Sequence, residues 1–545
     1  MGFKFTHVRI NGGKQMKYDV IVVGGGIAGL TTATYLAKEG HKVLICEKGD
    51  ELGGLVSSFD YKGFTFDGGI RSIESSGIVI PMLRQLEIDI PFKRSIVSLG
   101  IEDDIIKVVD KNSLFEYQNL LIKKFPDNEK DIKNIMKRIR KIMKYMDVLY
   151  GIDNPLFMDM FKNKKYLFFE VFPWLFKFLF TAGKIDRLNT PIETYLAQLT
   201  DNQALNDIIA QHFFKQTPAF FALSYFSLYL DYRYPEKGTG MLIEKLEEYY
   251  VNHGGEVKLS TEIVSVDSES KTLKDRQGNI YTYDQMVWAS DLNTLYQLAE
   301  LDKISDVKIK EEATLYKESI APLRGGDSIQ AVYATVDLEP AYFRNLCTEH
   351  FFYTPKTTGL FQVFASRDSV LERKNKEEMI SWVKSYLDYT TYEISIPALR
   401  NDKLAPKGQT GLIISTLMDY DFVKAVESMG WYPEYKKLTE DYIIKVLDES
   451  RYNGLKEKII DVFSYTPLTI EKRTGNRDGA ITGWAFTNKN IPVIHHTAKV
   501  AQSVLTKFPD IYQAGQWSYS PAGLPISIMT GKLAADKVNK QRKIK

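Results

Sequence analysis

Three glycines near the amino terminus have the spacing of a turn that binds phosphate groups. Gly24, Gly26 and Gly29 follow directly after the apolar, β-branched run 18–23. In a dinucleotide-binding fold the first glycine makes the turn, and the second lets the backbone approach a pyrophosphate. The third lets the following helix pack closely on the strand. This spacing therefore predicts a site for a nucleotide cofactor.

A helix start and a carboxylate complete the pattern. Ile27 and Ala28 open a segment with apolar residues at helical spacing, and the free N–H groups at a helix start favour phosphate binding. Glu47 stands after a second apolar run, 42–46, at about the 20-residue interval where such folds carry an acid. Its carboxylate is suited to accept both hydroxyls of an unphosphorylated ribose. The pattern therefore fits FAD or NAD and disfavours NADP.

The elements that must position these residues form a β-α-β unit. A strand is predicted over 18–23, a helix over 27–39 and a second strand over 42–46. The short connections are typical of a parallel sheet with helices on its faces. Near the far end of the chain, 511–514 predicts another buried strand and 525–538 a helix. The expected fold class is α/β, with both chain ends in one nucleotide-binding domain.

A second motif favours FAD over NAD. It consists of the segments 47–54 and 63–69, which together resemble an extended signature of flavoproteins in the amine oxidase and phytoene desaturase superfamily. A nicotinamide dehydrogenase has no need of this signature. Its candidate cofactor-binding residues are Lys48, Gly53, Gly54 and Leu55.

Further segments, in the right order, extend the resemblance nearly from end to end. They are 234–241, 253–264, 466–484, 514–517 and 521–525. The chain is identified as a member of the phytoene desaturase, carotenoid isomerase and retinol saturase family of FAD-dependent oxidoreductases. The resemblance implies that Val264 lies on the strand that meets the adenine. It also implies a carboxyl-terminal flavin-binding segment with the residues Gly515, Gln516, Gly523, Leu524 and Pro525.

The resemblance implies a two-dinucleotide-binding-domain flavoprotein with a discontinuous, Rossmann-like FAD domain. We expect 17–90, 234–290 and 491–538 to build that domain. The intervening segments, 91–233 and 291–490, are expected to form a substrate domain with a mixed sheet covered by helices.

The implied activity is redox chemistry on C=C or C–C bonds of a polyene or other unsaturated lipid. Desaturation, saturation and cis–trans isomerisation all remain open. Desaturases of the family usually carry arginine after the paired glycines, whereas Leu55 stands here, and this leans toward the isomerase and saturase branches.

No motif in the sequence identifies a catalytic acid or base, so the catalytic residues remain unassigned. Glu471 and Arg473 are interpreted as surface ion-pairing residues, and His212 as a packed histidine. Asp67 is expected to fix its loop by accepting backbone hydrogen bonds.

Three apolar segments leave a choice between core packing and contact with a lipid surface. The segment 132–146 has isoleucine and methionine on one helical face and basic residues on others, which favours a helix packed on a core. The segment 166–182 is aromatic, follows Lys162, Lys164 and Lys165, and falls short of a clean membrane span. A second aromatic stretch covers 213–230. Aromatic residues flanked by lysine suit either a buried core or a membrane interface.

Composition limits the classes of partner. The formal net charge is +2, which gives no overall field that would attract nucleic acid. Cys46 and Cys347 are far apart and in no metal-ligand spacing, so neither a metal site nor a disulfide is expected. Residues 1–17 contain no apolar segment typical of a secretory signal, and 537–545 form a basic tail. We expect a cytoplasmic protein, with peripheral membrane contact as an open alternative.

Two other functions share part of the pattern. A flavin amine oxidase would carry the same amino-terminal fingerprint but would act on a polar amine. A non-catalytic prenyl-lipid-binding protein, like the guanine-nucleotide dissociation inhibitors, would use a related fold without flavin. The full glycine pattern together with Glu47 and the segment 514–525 favours the flavin enzyme.

Overall fold

A computed structural model of the 545-residue chain describes residues 16–159, 164–494 and 497–542. Parts of three segments discussed above lie outside the described residues. They are the polar residues 1–15, Lys162 before the aromatic segment, and 543–545 of the basic tail.

The described residues contain nineteen strands. They are β1 Met16–Val23, β2 Val43–Cys46, β3 Ser58–Tyr61, β4 Phe64–Asp67, β5 Ile73–Glu74, β6 Phe92–Arg94, β7 Val97–Ile101, β8 Asp104–Val108, β9 Tyr232–Pro235, β10 Glu256–Lys258, β11 Ile263–Asp267, β12 Thr272–Asp275, β13 Ile280–Trp288, β14 Ser328–Val336, β15 His350–Thr354, β16 Tyr392–Ser395, β17 Thr410–Met418, β18 Ile459–Tyr465 and β19 Ile511–Gln513.

The same residues contain twenty-one α-helices. They are α1 Ile27–Lys38, α2 Val79–Gln85, α3 Ser113–Lys124, α4 Glu129–Tyr150, α5 Lys164–Tyr166, α6 Phe172–Ile185, α7 Ile192–Ala197, α8 Gln203–Ala210, α9 Ala219–Ala222, α10 Tyr225–Asp231, α11 Met241–Asn252, α12 Leu292–Leu298, α13 Val307–Ile320, α14 Pro340–Arg344, α15 Phe361–Arg373, α16 Lys376–Tyr389, α17 Pro397–Arg400, α18 Tyr420–Ser428, α19 Tyr432–Ser450, α20 Pro467–Thr474 and α21 Leu524–Arg542. A π-helical turn, Leu167–Val171, joins α5 to α6.

The first sheet has seven strands in the order β10-β2-β1-β13-β12-β11, and β19 also pairs with β13. Strands β10, β2, β1, β13 and β19 run parallel. Helices α1, α11 and α21 cover one face, where Val43 and Ile45 of β2 are buried. A second core buries Leu44 and Cys46 on the other face. Parallel strands covered on both faces read as continuous apolar runs, which explains why β1 and β2 were predictable.

The second sheet also has seven strands, in the order β18-β14-β17-β16-β15-β7-β8. Its pairs are antiparallel except for β15 with β7. Side chains alternate between the two faces of such strands. Phe351, Tyr353 and Ile394 point to the core formed with α16, α18 and α19.

These two sheets give the α/β fold class that the sequence predicts. The first sheet takes its strands from 16–46, 256–288 and 511–513, and the second from 97–108 and 328–465. The domain boundaries proposed above remain a prediction.

The three apolar segments have different environments. The seven isoleucine and methionine residues of α4 are buried, which confirms a helix packed on a core. Within 213–230, Phe226 and Tyr229 are also buried. In contrast, Phe169 and Phe180 are each 75% exposed, so a buried core helix is the wrong interpretation of 166–182.

The aromatic segment also differs from the expectation in length. The continuous helix Lys164–Leu188 has 25 residues and a mean hydropathy of 1.2 over its most apolar window. By length and composition alone it meets the criteria for a membrane span, although Glu170 and Lys177 still interrupt it. The expectation from the sequence that this segment is too short and too polar for a membrane span is therefore corrected.

A buried carboxylate joins the hairpin β3–β4 to the segment before α11. Asp67 accepts hydrogen bonds from Ser58 Oγ at 2.8 Å and from the Tyr234 hydroxyl at 2.7 Å. It also accepts from the N–H and the hydroxyl of Thr239, both at 2.9 Å. The sequence predicted backbone donors from the loop of Asp67 itself. The structure shows mainly side-chain donors, and Tyr234 and Thr239 lie far away in sequence.

We expect Asp67→Ala to lower the midpoint of thermal unfolding, because four donors lose their buried acceptor. The loss corresponds to roughly 2–4 kcal/mol. The control is Asp60→Ala on the same hairpin. Within the described part of the chain its exposed carboxylate accepts from Thr65 alone. We expect the control to change stability by less than about 0.5 kcal/mol. Equal midpoints for the two variants would contradict the role of Asp67.

Candidate functional site

A large cavity is lined by the glycine turn after β1 and by strands of the second sheet. It has a volume of about 440 Å³. Its walls include Gly24 and Gly26 at one end and Phe352 on β15 at another. A cavity of this size, with both apolar and polar walls, is the usual form of a cofactor and substrate site.

The glycine turn leaves backbone accessible to the cavity. Gly24 has a φ of +103°, which favours glycine. A Cβ at Gly29 would lie 1.9 Å from the carbonyl oxygen of Gly24, whereas a Cβ at Gly26 would meet nothing within 4 Å. Helix α1 begins at Ile27 without a side-chain cap, so its first N–H groups are available to an anion. This geometry fits a pyrophosphate.

The Glu47 carboxylate is held in place beside the turn. It accepts from the N–H of Gly25 at 2.6 Å and from the N–H of Gly49 at 2.7 Å. Each carboxylate oxygen keeps a further lone pair. Glu47 also lines the cavity, and its predicted role of accepting from ribose hydroxyls stays a prediction.

The carboxyl-terminal segment reaches the same cavity. The N–H of Gly515 donates to Thr530 Oγ1 at 2.9 Å, which ties the loop after β19 to α21. Helix α21 begins at Leu524 and packs against α1, where the Thr32 hydroxyl donates to the carbonyl of Gly531 at 3.1 Å. The start of α21 therefore lines the same cavity as the glycine turn.

Most of the residues predicted to bind the cofactor meet in this cavity. They are Gly24, Gly26, Ile27, Ala28, Glu47, Gly53, Gly54, Leu55, Gly515, Gln516, Gly523, Leu524 and Pro525. Three others do not line it. Gly29 packs α1 against the turn, Lys48 donates to the carbonyl of Lys472 at 3.2 Å, and Val264 lies on β11. The role of each residue toward the cofactor remains a prediction.

Several cavity residues were not singled out from the sequence. Arg71 follows the second signature by two residues, so extending that motif would have found it. Glu74 lies a few residues further on. His350 and Glu393 carry no local motif, because only the pairing of β15 with β16 brings them together. Nε2 of His350 lies 2.9 Å from Oε1 of Glu393.

A hydrogen bond from His350 and the charges of nearby arginines favour the ionised form of Glu393. Burial raises the pKa of the Glu393 carboxyl, but His350, Arg71 and Arg400 outweigh this effect and hold that pKa below its ordinary value. Burial also lowers the pKa of His350, although Glu393 opposes this shift. The cavity therefore contains one fixed negative charge on the second sheet.

Three residues discussed from the sequence are also placed by the structure. His212 lines the cavity, its Nδ1 lies 3.1 Å from the Tyr229 hydroxyl, and burial lowers its pKa to about 4. Arg473 pairs with Glu51 and also lines the cavity. Both oxygens of Glu471 accept from the Tyr420 hydroxyl at 2.9 Å.

The described ranges hold no group of three or more histidine, cysteine, aspartate or glutamate residues that could bind a metal ion. Both Cys46 and Cys347 are buried as free thiols.

Comparison with solved structures gives the fold. Wild-type putrescine oxidase bound to putrescine superimposes with a TM-score of 0.61 at 12% identity, covering 97% of this chain and all of the other. An oxidoreductase from Methanosarcina mazei gives 0.59 at 14% identity, covering 96% and 100%. Reduced UDP-galactopyranose mutase gives 0.57 at 14% identity, covering 96% of each chain.

Comparison with known sequences gives the family. A 4,4'-diapophytoene desaturase (4,4'-diaponeurosporene-forming) of Staphylococcus aureus strain bovine RF122 / ET3-1 is 23% identical, covering 96% of this chain and 98% of its own. The corresponding protein of strain COL is 22% identical with the same coverage. The family of flavin containing amine oxidoreductases matches residues 27–331, more than half of the chain. The chain therefore belongs to this family and is an FAD-dependent oxidoreductase similar to phytoene desaturases.

Proposed function

We propose that the protein uses FAD to oxidise, reduce or isomerise C=C or C–C bonds of a polyene or other unsaturated lipid. The observation that carries the proposal is the aromatic wall of the cavity. Phe213, Phe221, Tyr225 and Leu228 line the same cavity as the predicted flavin-binding residues. An apolar chain beside the flavin would be held by contacts with this wall.

The wall residues and the cofactor have separate tasks. Bound FAD accepts or supplies a hydride. The aromatic side chains orient the lipid and exclude water from the reacting carbon. Phe213 packs on Tyr225, and Phe221 packs edge-on against the same ring, so the wall is a connected aromatic cluster. Such rigid contacts favour one position of a long chain over others.

The similarity to diapophytoene desaturases supports a polyene substrate. Leu55 lines the cavity. Because desaturases of the family usually carry arginine at this position, Leu55 favours the saturase and isomerase branches. The family description and the likeness to putrescine oxidase keep amine oxidation as the alternative to be tested.

The first test is the visible spectrum of the purified protein during anaerobic addition of phytoene, a cis-carotenoid or an unsaturated fatty acid. We expect flavin absorbance, and bleaching when the lipid donates a hydride. Conversion of the lipid only after prereduction of the flavin would identify a saturase or an isomerase. Hydrogen peroxide release with putrescine, and no change with any lipid, would overturn the lipid proposal in favour of amine oxidation.

We propose further that the protein is cytoplasmic and contacts a membrane surface through the helix Lys164–Leu188. Its aromatic side is exposed at Phe168, Phe169, Phe172, Phe176 and Phe180. An amphipathic helix with lysine near aromatic residues suits the boundary between headgroups and acyl chains.

The neighbouring helix adds charge complementarity and a link to the cavity. The indole N–H of Trp174 donates to the carbonyl of Val148 at 2.5 Å, which fixes the aromatic helix against α4. The outer face of α4 exposes five basic residues, Lys137, Arg138, Arg140, Lys141 and Lys144. They would attract anionic headgroups. Tyr150, at the end of α4, lines the cavity, so α4 links this surface to the cavity wall.

We expect Phe169→Ser/Phe180→Ser to weaken binding to anionic phospholipid vesicles by at least about ten-fold, because two rings lose their apolar burial. Vesicle co-sedimentation measures this. The control is Val307→Ser/Leu315→Ser, which removes two residues of α13 that are 67% and 66% exposed. Vesicle binding that stays equal in both variants, or is absent from the unaltered protein, would refute the membrane contact.

Glu74 is a cavity carboxyl that holds a proton near neutral pH, and we propose that it exchanges protons with the site. A Cβ at Gly523 would lie 3.9 Å from Oε1 of Glu74, so the carboxyl lies beside the start of α21. Burial is the main cause that raises the pKa of Glu74 to about 7, and the charge of Asp231 adds to it.

This pKa has a consequence for stability. Between the ordinary pKa of glutamate and about pH 7, Glu74 ionises in the unfolded chain but stays protonated in the folded one, so stability falls as pH rises. Glu74→Gln removes that loss. We compare the unfolding midpoint of the variant with that of the unaltered protein at pH 5 and at pH 8. The advantage of the variant should be larger at pH 8, by the equivalent of about 1–2 kcal/mol. This free energy is set below the full value for the pKa shift because solvent in the cavity screens the charge.

Thermal unfolding at the two pH values measures the difference. Glu318→Gln, on the exposed side of α13, is the control and should show no such trend. A pH-independent difference between Glu74→Gln and the unaltered protein would show that Glu74 is already ionised in the folded state.

A further inference from the structure

The end of the cavity next to the glycine turn carries several acidic side chains. Glu47, Asp50 and Glu51 line this end, and all three follow β2 in the same loop. The loop is joined to the turn, because the N–H of Gly53 donates to the carbonyl of Gly25 at 2.9 Å. The predicted pyrophosphate of FAD would add further negative charge at the same place. Tight binding of FAD therefore requires a cation at this end of the cavity.

The start of α1 supplies only part of that positive charge, since the N–H groups of a helix start carry roughly half a unit charge. Desaturases of the family usually carry arginine after the paired glycines Gly53 and Gly54, where this chain has Leu55. A Cβ at Gly54 would lie 3.5 Å from the Cα of Gly26, so position 55 follows a residue that lies against the turn. The chain therefore lacks a cation at a position beside the predicted phosphate site.

Two arginines carry the only permanent positive charges among the described residues that line the cavity. One of them, Arg71, is buried, and its Nη1 donates to the carbonyls of Asp67 at 2.7 Å and of Gly69 at 2.6 Å. Its Nη2 donates to Oγ of Ser415 on β17 at 3.1 Å, so Arg71 is held against the second sheet. The other arginine, Arg473, is the cation that remains for the phosphates.

Arg473 lies near the end of α20 and reaches the loop after β2. Its Nη2 pairs with Glu51 and donates to Oγ of Ser57 at 3.4 Å. The same helix end is tied to the loop a second time, because Nζ of Lys48 donates to the carbonyl of Lys472 at 3.2 Å. These contacts place the guanidinium beside the loop that is bonded to the glycine turn.

The guanidinium of Arg473 has donors left for a ligand. Within the described part of the chain its Nε and Nη1 have no hydrogen-bond partner, and its side chain keeps 34% of its surface accessible. A planar guanidinium matches the oxygens of a phosphate with paired donors. The ion pair with Glu51 is exposed, and such pairs contribute little free energy. A phosphate can therefore compete with Glu51 for Arg473 at little cost.

We propose that Arg473 binds the pyrophosphate of FAD and takes the place of the arginine that position 55 lacks. The cation comes from a helix that lies 422 positions after Glu51 in the chain. Contact between α20 and the loop after β2 thus contributes to holding the cofactor. The inference rests on the predicted phosphate site at the glycine turn and is independent of the proposed lipid substrate.

The test is titration of the flavin-free protein with FAD, followed by the quenching of flavin fluorescence. We expect Arg473→Gln to raise the dissociation constant for FAD at least about ten-fold, because charge-assisted hydrogen bonds are lost. Arg473→Lys keeps the charge without the planar fork and should raise it less, by about three-fold. The dissociation constant of Arg473→Gln should also rise less steeply with salt, because the variant lacks the charge that salt screens.

Glu51→Gln separates phosphate binding from a merely structural tie between α20 and the loop. This variant removes the partner of Arg473 and one negative charge, so we expect FAD to bind as tightly as before or more tightly. A structural tie would instead make Glu51→Gln weaken FAD binding as much as Arg473→Gln does. The remote control is Arg373→Gln, which breaks an exposed pair with Glu378 at 2.6 Å and should leave FAD binding unchanged.

The double variant Leu55→Arg/Arg473→Gln tests the replacement directly. We expect the guanidinium introduced at position 55 to return the dissociation constant to within about three-fold of the unaltered protein. No recovery would overturn the claim that Arg473 takes the place of that arginine. Unchanged FAD affinity in Arg473→Gln, or equal weakening by Glu51→Gln, would overturn phosphate binding by Arg473. None of these outcomes involves the lipid, so the proposed function is tested separately.

Discussion

The site depends on the close contact between the first and the last helix of the described chain. A Cβ at Gly531 would lie 2.6 Å from the carbonyl oxygen of Ala28, so the absence of a side chain there lets α21 lie directly on α1. That contact brings the start of α21 to the glycine turn after β1. The glycine turn and the carboxyl-terminal segment, which are both predicted to bind the flavin, therefore reach one cavity, and strands of the second sheet also line it.

Local features of the site were predictable because each needs only a few neighbouring residues. The glycine spacing and Glu47 follow from the geometry of one turn, and the segment around Gly515 follows from family resemblance. Glu393 and His350 were not predictable. Their proximity depends on the register between β15 and β16, whose residues lie about forty positions apart in sequence. The fold class followed from the apolar runs of β1 and β2, which parallel sheets bury on both faces.

The two aromatic segments show what composition alone does not predict. Both 166–182 and 213–230 are rich in phenylalanine and tyrosine, yet the first exposes Phe169 and Phe180 while the second forms a cavity wall. An apolar composition predicts that a segment is removed from water, but it does not predict whether the segment packs in the protein core or contacts lipid. The choice here comes from tertiary packing, since Trp174 fixes the first segment to the outside of α4 and Tyr229 packs the second beside Phe352.

The discontinuous assembly of the cofactor cavity also constrains the order of events during synthesis. Domains generally fold as units while the chain leaves the ribosome, beginning at the amino terminus. The glycine turn after β1 is made long before β19 and α21. The nascent chain therefore lacks one wall of the cavity until β19 and α21 have been made. If α21 helps to hold the flavin as predicted, stable flavin binding follows the synthesis of α21, and a chain truncated before α21 is expected to bind FAD weakly.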